Sequence, residues 1–486
     1  RGEDAASDLL LPAPNRFVPQ DFSLRAGPLA DGKPASRLPL EAVPPRLVRE
    51  GPLLRLWHKL DRAFGSPREY VLVQGQTPAY GFGPRPVALM RLFCGVVVED
   101  LNALAYDASI AGLGYGLEFS DSLSFSVGGF SDRLPELLEA VLARVREVLE
   151  VAEGPSTPED AGAQRRGELL ERLETQRQLL LQDYQNFTRE EPWSVCSYYC
   201  SQAMLPGSWH LSEYLEALAR PVPLEDLAAE VRRALGRLQL EVLVHGNASE
   251  EEAGAAADVV TAAFEGLGAL PLESPPCRRV TRLEEGRTCV FEYDLAAENP
   301  AQENSCTQNV YQVGLLGEDS HRDACLSVLC HVASTSAYQR LRTEEQLGYI
   351  VQAGGWAEQH VNGFSVIVQG NRLSPCEVDL RIEEWLESFG RELEGMSEED
   401  FANNVRAVIS ERSQRHARLA QETTQHWAEI QPRRYRFDRL RRSVEALREV
   451  RRADVLELFR ARIAASPTRR KLSLRVLGSS ASQRSE

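Results

Sequence analysis

The sequence predicts an α+β protein built from two similar units in tandem, and three observations carry that prediction. Strand-like segments occur at LSFSV (123–127) and at FSVIVQ (364–369), where apolar residues alternate or cluster. Each segment is followed by a run with apolar residues at steps of three and four, which is the pattern of a helix laid on a sheet. Matching motifs also recur at a nearly constant distance along the 486-residue chain.

The two helical runs have clear apolar stripes. The first stripe consists of Leu134, Leu137, Leu138, Val141, Leu142, Val145, Val148 and Leu149. The second consists of Val378, Ile382, Trp385, Leu386 and Phe389. Each stripe predicts a helix that buries one side against its own sheet.

The repeated motifs support the duplication. Leu-Gly-Tyr occurs at 113–115 and again 234 positions later, at 347–349. TPEDAGAQRRGELLER (157–172) parallels SEEDFANNVRAVISER (397–412) at an offset of 240, and each opens with a Ser or Thr suited to capping a helix. LEVLVHGN parallels LSLRVLGS at an offset of 232. We therefore expect two homologous units of about 230 residues.

The domain limits follow from proline content and from the repeats. Residues 1–50 contain too many prolines for regular structure, so we expect an extended lead-in there. The first unit is expected over 51–270 and the second over 271–486, with the boundary in the stretch from Pro271 to Pro276.

Composition excludes several classes of partner. Lys and Arg number 55 against 71 Asp and Glu, a net charge of −16 that repels nucleic acid and acidic membrane surfaces. No apolar run approaches the roughly 20 residues that span a bilayer. Nine scattered cysteines fit reduced thiols, which predicts a cytoplasmic protein and leaves an organelle open. Because the chain starts at Arg1 and lacks the features of a signal peptide, we expect a product whose N-terminal part is missing.

The eight histidines offer no zinc site. His210-Leu-Ser-Glu-Tyr214 would be an inverted zinc motif if position 214 were His, and His426-Trp-Ala-Glu-Ile430 fails in the same way. A catalytic zinc normally needs three protein ligands, so we expect no metal in this chain and expect helix-surface or N-cap roles for His210 and His426. The cysteine pairs 196/200 and 325/330 lack the short CxxC turn and are expected to be buried thiols.

The segment LRTEEQLGYI (341–350) is the strongest functional candidate. A helix is expected to end here, with Gly348 in the left-handed position that stops it and Tyr349 at the start of a strand. Arg342 and Tyr349 then lie on either side of a sharp turn, where a guanidinium fork and a phenol hydroxyl could reach one external peptide carbonyl. The alternative is structural, because an Arg near a helix end commonly pairs with solvent or a nearby Glu and a strand Tyr commonly lies in a core.

LRTEEQLGYIV resembles the LRTxEQLGY signature in the last domain of the insulin-degrading-enzyme group of M16, or pitrilysin-type, peptidases. Further landmarks follow in that family's order: LPAPNRFVPQDF, LWHKLDRAF, LAYDASIAGLGYGLEF with VGGFSDRLPELL, the LVHGN strand end, and WAEI followed by YRFDR. They extend from about Leu11 to Leu477 and so cover nearly the whole chain.

The resemblance implies that this chain is the C-terminal half of an M16 zinc metalloendopeptidase, its third and fourth domains. Each domain would be an α/β sandwich with a mostly antiparallel sheet covered by helices. Two halves would close around an unfolded peptide substrate. Zinc would be bound by the HxxEH helix of an N-terminal half, joined in cis or supplied in trans, so this chain alone would be inactive.

The same resemblance assigns residues. Arg342 would bind the substrate main chain, and Tyr349 would stabilise the tetrahedral intermediate formed by zinc-activated water. Tyr338 stands where relatives have an aromatic residue that lines a substrate side-chain pocket. That residue is commonly Phe in the family, whereas this chain has Tyr.

Several alternatives stay open. The chain could be a non-catalytic, M16-like peptide-binding or scaffold subunit, and the sequence leaves dimerisation open. A basic cluster lies between Arg433 and Arg442, and relatives bind polyanions in the C-terminal half, but a solvated or ion-paired helix face is the favoured interpretation. Tyr115 repeats the position of Tyr349 without the preceding Arg and is expected to be a core residue.

Overall fold

The computed structural model describes residues 14–27, 43–154 and 161–482. Within these residues the chain forms two β-sheets, one in each half. The first contains β1 (Arg46–Glu50), β2 (Leu54–Leu60), β3 (Arg68–Gln76), β4 (Gly114–Phe119), β5 (Leu123–Phe130), β6 (Arg237–Gly246) and β7 (Leu270–Pro271). The second contains β8 (Arg287–Asp294), β9 (Ser305–Leu315), β10 (Ile350–Glu358), β11 (Val361–Gly370) and β12 (Arg470–Leu477).

The two sheets share one topology. The first runs in the order β1-β2-β6-β3-β5-β4, with the short β7 beside β6, and the second in the order β8-β12-β9-β11-β10. Both sheets contain an equivalent parallel pair, β2 with β6 and β8 with β12, and the pairs that follow in each row are antiparallel. The short β7 adds a second parallel pair, with β6, to the first sheet. The predicted tandem of two homologous, mostly antiparallel α+β units is therefore confirmed.

Helices account for most of the remaining described residues. The first half contains α1 (Pro84–Asp100), α2 (Asn102–Ile110), α3 (Leu134–Glu153), α4 (Ala161–Asn186), α5 (Pro192–Met204), α6 (Leu211–Ala217), α7 (Leu224–Leu235) and α8 (Glu250–Gly266). The second contains α9 (Leu295–Glu298), α10 (Ser320–Ala337), α11 (Pro375–Gly395), α12 (Glu398–Arg412), α13 (Leu419–Ile430), α14 (Arg439–Leu447), α15 (Arg452–Arg462) and α16 (Ser479–Ser482). Short 3₁₀ turns occupy Pro78–Phe82 and Phe187–Arg189.

Local sequence explains where the long helices begin. Ser374 caps α11 by accepting from the Glu377 amide, and Pro375 occupies the first turn, where its missing N–H costs nothing. Ser397 caps α12 by accepting from the Asp400 amide, as its place in the repeat predicts. The matching cap predicted at Thr157 lies outside the described residues, as does much of the Pro-rich lead-in. Strand β1 begins at Arg46 and so falls within the predicted lead-in over residues 1–50.

Each sheet has a core on the face that its own helices cover. Both predicted apolar stripes, on α3 and α11, are buried. In the second unit the rings of Trp385 and Phe389 stack with centroids 5.5 Å apart, and Phe459 of α15 packs edge-on against Phe389. Aromatic pairs of this kind add to the free energy gained from apolar burial.

The opposite face of each sheet is covered by a helix from the other half. The α5 helix packs on β9 and β12 of the second sheet, with Val195 and Met204 in one buried cluster with Leu474. The α13 helix packs on β6 and β3 of the first sheet, where Ile430 contacts Trp57 and Leu243. This reciprocal exchange joins the two units through apolar contacts on both sides.

The exchange also buries polar groups from both halves. Glu241 on β6 accepts from the Trp57 indole at 2.9 Å, and His245 contacts the Thr423 hydroxyl at 2.8 Å. His426 lies beside Glu422 and the Lys59 ammonium and is buried, so the helix-surface role predicted for it is wrong. Burial and the nearby Lys59 lower the pKa of His426 to about 3, so it stays neutral near pH 7.

A buried ionic network ties α11 to the second sheet. The Asp379 carboxylate accepts from the Lys471 ammonium at 2.5 Å, from Asn309 at 2.6 Å and from Arg475 at 2.8 Å. Burial by itself would raise the pKa of Asp379, but Lys471 and Arg475 outweigh that effect and hold the pKa at about 2. The carboxylate is therefore ionised and fully paired in the folded state.

Replacing Asp379 with Ala is expected to lower the free energy of unfolding by about 3–5 kcal/mol, because buried cations lose their partner. Urea unfolding measures the change. Glu384→Ala is the matched control: Glu384 lies on the same helix but pairs with Arg381 at an exposed site, so about 1 kcal/mol or less is expected.

The same network predicts a pH dependence. Because the folded pKa lies below the ordinary value of 3.8, the stabilisation is complete above about pH 4 and is lost as the pH falls toward 2. The stability gap between the wild type and Asp379→Asn should therefore narrow over that interval. A constant gap would contradict the assignment.

Candidate active site

The predicted functional segment lies on a widened helical turn. The α10 helix ends at Ala337 and continues as a π-helical turn over Tyr338–Glu344. Beyond it, the Glu345 amide donates to the Arg340 carbonyl at 3.0 Å and the Leu347 amide donates to the Leu341 carbonyl at 3.0 Å. Both leucines are buried in the second core. π-Helical turns are rare in proteins, and those that do occur often lie at functional sites.

Gly348 does not take the left-handed position predicted for it. Gln346 takes that position, with φ of 52°. Gly348 is required for a different reason: a Cβ at Gly348 would lie 1.9 Å from the carbonyl oxygen of Gln369. The chain passes so close to the end of β11 that a side chain has no room, and this contact directs residues 348–350 into β10.

The turn brings the three predicted site residues together. The Arg342 guanidinium carbon lies 4.8 Å from the centre of the Tyr338 ring and 5.1 Å from the centre of the Tyr349 ring. One of its nitrogens donates to the Tyr338 hydroxyl at 2.9 Å. Contacts of a guanidinium with two aromatic faces restrict its orientation, each contributing about 0.5–1 kcal/mol at an exposed site.

The phenols at this site face outward. Tyr349 has 82% of its surface exposed, and Tyr338 has 48% exposed. Among the described residues, no hydrogen-bond partner is recorded for the Tyr349 hydroxyl. Tyr349 therefore does not lie in the core, and within the described residues Arg342 has no Glu partner.

Ion pairs behind the turn hold it in place. The Glu345 carboxylate bonds to Arg340 at 2.8 Å and to Arg381 of α11 at 2.7 Å. Arg372 donates to the Glu345 backbone carbonyl at 3.0 Å. Because the Glu345 side chain is largely buried, these contacts link the turn to the helix beneath it. The sequence alone gave no signal for Arg381, which lies 39 positions beyond Arg342.

The first unit has no counterpart of this arrangement. Tyr115 is half-buried, its hydroxyl donates to the Val98 carbonyl at 3.3 Å, and burial raises its pKa. At the offset that relates the two tyrosines, Ala108 stands where Arg342 stands, and Ala108 is buried. The two units thus differ in chemistry at an equivalent place.

The basic cluster near α14 is ion-paired, as favoured from sequence. Arg434 and Arg439 both bond to Glu429, at 3.4 and 2.6 Å, and Arg442 bonds to Asp438 at 3.4 Å. A cavity of about 810 Å³ adjoins the cluster. Its wall includes Arg412, whose pKa is lowered by burial and which donates to Ser443 and Ser327.

Metal-ligating residue types do not converge in the described part of the chain, where no group of three His, Cys, Asp or Glu could hold a metal ion.

His210 caps α6, and its side chain accepts a hydrogen bond from the Ser212 amide, which confirms its N-cap role. Cys196 and Cys200 are buried thiols on α5, and burial raises the pKa of Cys200 to about 12. No helix in the described ranges is long and apolar enough to cross a bilayer.

Comparison with known proteins shows that this fold is similar to that of the M16, or pitrilysin-type, peptidases. Residues 2–217 match the family model of the middle or third domain of peptidase M16. Residues 328–427 match the model of the C-terminal lobe domain 4 of the PQQ synthase PqqF-like proteins. The solved structure of pitrilysin superimposes with a TM-score of 0.79 over 97% of this chain and 46% of that chain, at 20% identity.

Over nearly its whole length the chain is similar to peptidase M16 proteins, and insulin-degrading enzymes are among these relatives. It is 31% identical over 97% of its length to insulin-degrading enzyme-like 1, peroxisomal, from Arabidopsis thaliana, and covers 46% of that protein. It is 27% identical over 96% of its length to human insulin-degrading enzyme and covers 43% of it. A relative from Schizosaccharomyces pombe is named a putative zinc protease. The chain spans about half the length of these curated relatives.

The close approach at Gly348 gives a direct test of the local structure. Gly348→Ala is expected to displace the start of β10 and to lower the free energy of unfolding by about 1–3 kcal/mol, since the clash is with backbone atoms. Thermal unfolding and limited proteolysis at residues 338–350 report the change. Gly354→Ala is the control, because a Cβ there meets nothing within 4 Å. Equal melting temperatures for the two variants would contradict the close approach of Gly348 to Gln369.

Proposed function

We propose that this chain is the C-terminal half of an insulin-degrading-enzyme-like zinc metalloendopeptidase. In this proposal residues 51–270 and 271–486 are its third and fourth domains, and residues 1–50 lead into them. The chain closes a chamber around a peptide substrate and supplies binding and oxyanion-stabilising groups. The observation that carries the proposal is the pair of a half-buried Arg342 and an exposed Tyr349, oriented by aromatic contacts within the LRTEEQLGY segment of a chain similar to M16 peptidases.

Arg342 is suited to hold a substrate main chain. Its guanidinium is oriented by two rings, and only its bond to Tyr338 uses a donor nitrogen among the contacts described. The remaining N–H groups form a planar fork that matches a peptide carbonyl. Tyr338, half-exposed beside it, would line a side-chain pocket with a polar hydroxyl instead of a plain ring.

Tyr349 is suited to stabilise charge that develops on the reacting carbonyl. Its hydroxyl is exposed, and its ring is held beside Arg342. An O–H donor placed at a tetrahedral oxyanion stabilises the transition state more than the ground state, which is what raises turnover.

Zinc does not fit the described residues of this chain, since they present no set of three ligands. The metal and the HxxEH helix would therefore belong to an N-terminal half, in cis or in trans, and this chain alone would be inactive. Its compartment is proposed as cytoplasmic with an organelle left open, and one relative is named peroxisomal.

Tyr349→Phe is expected to lower kcat in the assembled enzyme by about 10²–10³, the usual effect of removing one oxyanion donor. Zinc content and the melting temperature should not change. Tyr115→Phe is the matched control, because that tyrosine occupies the equivalent place in the first unit and should leave kcat near the wild-type value. Equal kcat in Tyr349→Phe and Tyr115→Phe would favour the non-catalytic peptide-binding alternative. The absence of turnover in both the wild type and Tyr115→Phe would favour it as well.

Arg342→Lys is expected to lower kcat/KM by about tenfold or more, because lysine keeps the charge but loses the planar fork and the stacking on two rings. Steady-state kinetics on a fluorogenic peptide measures the effect, and Arg406→Lys on the exposed face of α12 is the control. An unchanged kcat/KM in Arg342→Lys would remove Arg342 from the proposed site.

A further inference from the structure

A buried carboxylate in the first unit has no partner within the part of the chain that the structure describes. Glu69 lies on β3, on the face covered by α3 and α8, and only 7% of its surface is exposed. No hydrogen bond or ion pair to Glu69 is recorded among the described residues, in contrast to Asp379 and Glu241, which are buried to a similar degree. Its side chain instead lines a cavity of about 150 Å³. An unpartnered buried carboxylate is costly and calls for an explanation.

Two glycines lie opposite Glu69 across the sheet. Glu69 is paired with Gly129 of β5 and with Gly246 of β6. Both glycines have positive φ, 146° and 133°, and a Cβ on Gly246 would lie 2.8 Å from the Glu69 Cα, so the strands approach closely here. Because neither cross-strand neighbour has a side chain, neither can pair with the carboxyl group.

The second unit shows that the fold does not require a carboxylate here. Ser305 stands at the equivalent place, paired with Gly370 and adjacent to Gly478. The Gly478 amide donates to the Ser305 hydroxyl at 2.9 Å, so the polar atom is satisfied within the sheet. The unpartnered group is therefore particular to the first unit.

Most polar groups around the cavity already have partners. Arg25 bonds to Glu252 of α8 at 2.9 Å, and Asn247 bonds to Ser131 at 2.8 Å and to the backbone of the segment that carries Arg25. Glu139 of α3 also lines the cavity. The lining thus holds three carboxyl groups and one guanidinium, so a cation complements it once Glu69 is ionised.

The remaining wall is apolar. It includes Val71 from the sheet, Leu134 and Leu138 from α3, and Ala256 and Val259 from α8. A cavity of this size has room for about six carbon atoms. With one buried carboxylate and no set of three metal ligands among the described residues, the surroundings suit an organic cation better than a metal ion.

We propose that the cavity beside Glu69 binds a small organic cation, a primary alkylammonium of about four carbons. The ammonium group would lie against the Glu69 carboxylate, and the alkyl chain would lie against the walls from α3 and α8. The cavity is lined by residues of the first unit, whereas Tyr338, Arg342 and Tyr349 belong to the second unit.

Electrostatics adds a pH signature. Burial, with Glu252 nearby, raises the pKa of Glu69 to about 8, and Arg25 opposes this effect. Near pH 7 the carboxyl group is therefore mostly protonated, and binding a cation must release that proton. Affinity should rise between about pH 7 and about pH 9, while the amine itself, with a pKa of about 10.4, stays charged.

Isothermal titration of the 486-residue chain with butylammonium chloride tests the proposal, with 1-butanol and sodium chloride as ligand controls. The wild type is expected to bind one butylammonium, more tightly at the higher pH, and to give no saturable signal with either control. Glu69→Gln should weaken binding by at least about tenfold and remove its pH dependence. Glu139→Gln, at the mouth, should retain the pH dependence.

Ala256→Phe provides a second variant, which fills the cavity and keeps Glu69. Ala256→Phe should also abolish butylammonium binding. If circular dichroism shows that Glu69→Gln is not folded, Ala256→Phe serves as the test in its place. Binding that survives in a folded Glu69→Gln or in Ala256→Phe, equal binding of 1-butanol, or no saturable binding to the wild type would each overturn the proposal.

Discussion

Two helices are exchanged between the halves of this chain, and the relative position of everything else depends on that exchange. The α5 helix of the first half covers one face of the second sheet, and α13 of the second half covers one face of the first. Neither sheet can leave the other without exposing apolar residues such as Leu474 or Leu243 and unpairing buried groups such as His245. At about 25 cal/mol per Å² of apolar surface, such exposure is strongly unfavourable, so the two units are expected to move together.

The functional segment is built on this base through a local departure from regular helix geometry. A π-helical turn changes the direction in which residues 338–344 present their side chains, and the buried Leu341 within it and Leu347 after it attach it to the core. Arg342 then reaches both Tyr338 and Tyr349, although they belong to different structural elements. The ion pairs of Glu345 with Arg340 and Arg381 support the turn from behind. Rigid support of exposed donors is what a site acting on an external substrate requires.

Duplication gives the chain an internal comparison, because the fold is held constant while single positions differ. Tyr349 is exposed beside Arg342, whereas Tyr115 donates within its own unit beside the buried Ala108. Glu69 is unpartnered between two glycines, whereas Ser305 is satisfied between two glycines. In each comparison one unit satisfies a polar group internally and the other leaves it available. Positions of the second kind are where a function separate from folding is expected.

The sequence by itself determined the duplicated α+β plan, both apolar stripes and the segment that carries Arg342 and Tyr349, because periodicity and repeated motifs are local properties that a chain displays before it folds. It also offered the N-cap role that His210 takes, beside a helix-surface role, without deciding between the two. Tertiary structure alone decided that Gln346 is left-handed and that Gly348 is needed for close approach to Gln369, since both depend on where β11 passes. It likewise decided that His426 is buried, because the covering sheet comes from residues far away in the chain. Burial and partnership are set by contacts between distant segments, and no pattern within the Glu69 or His426 segment encodes them.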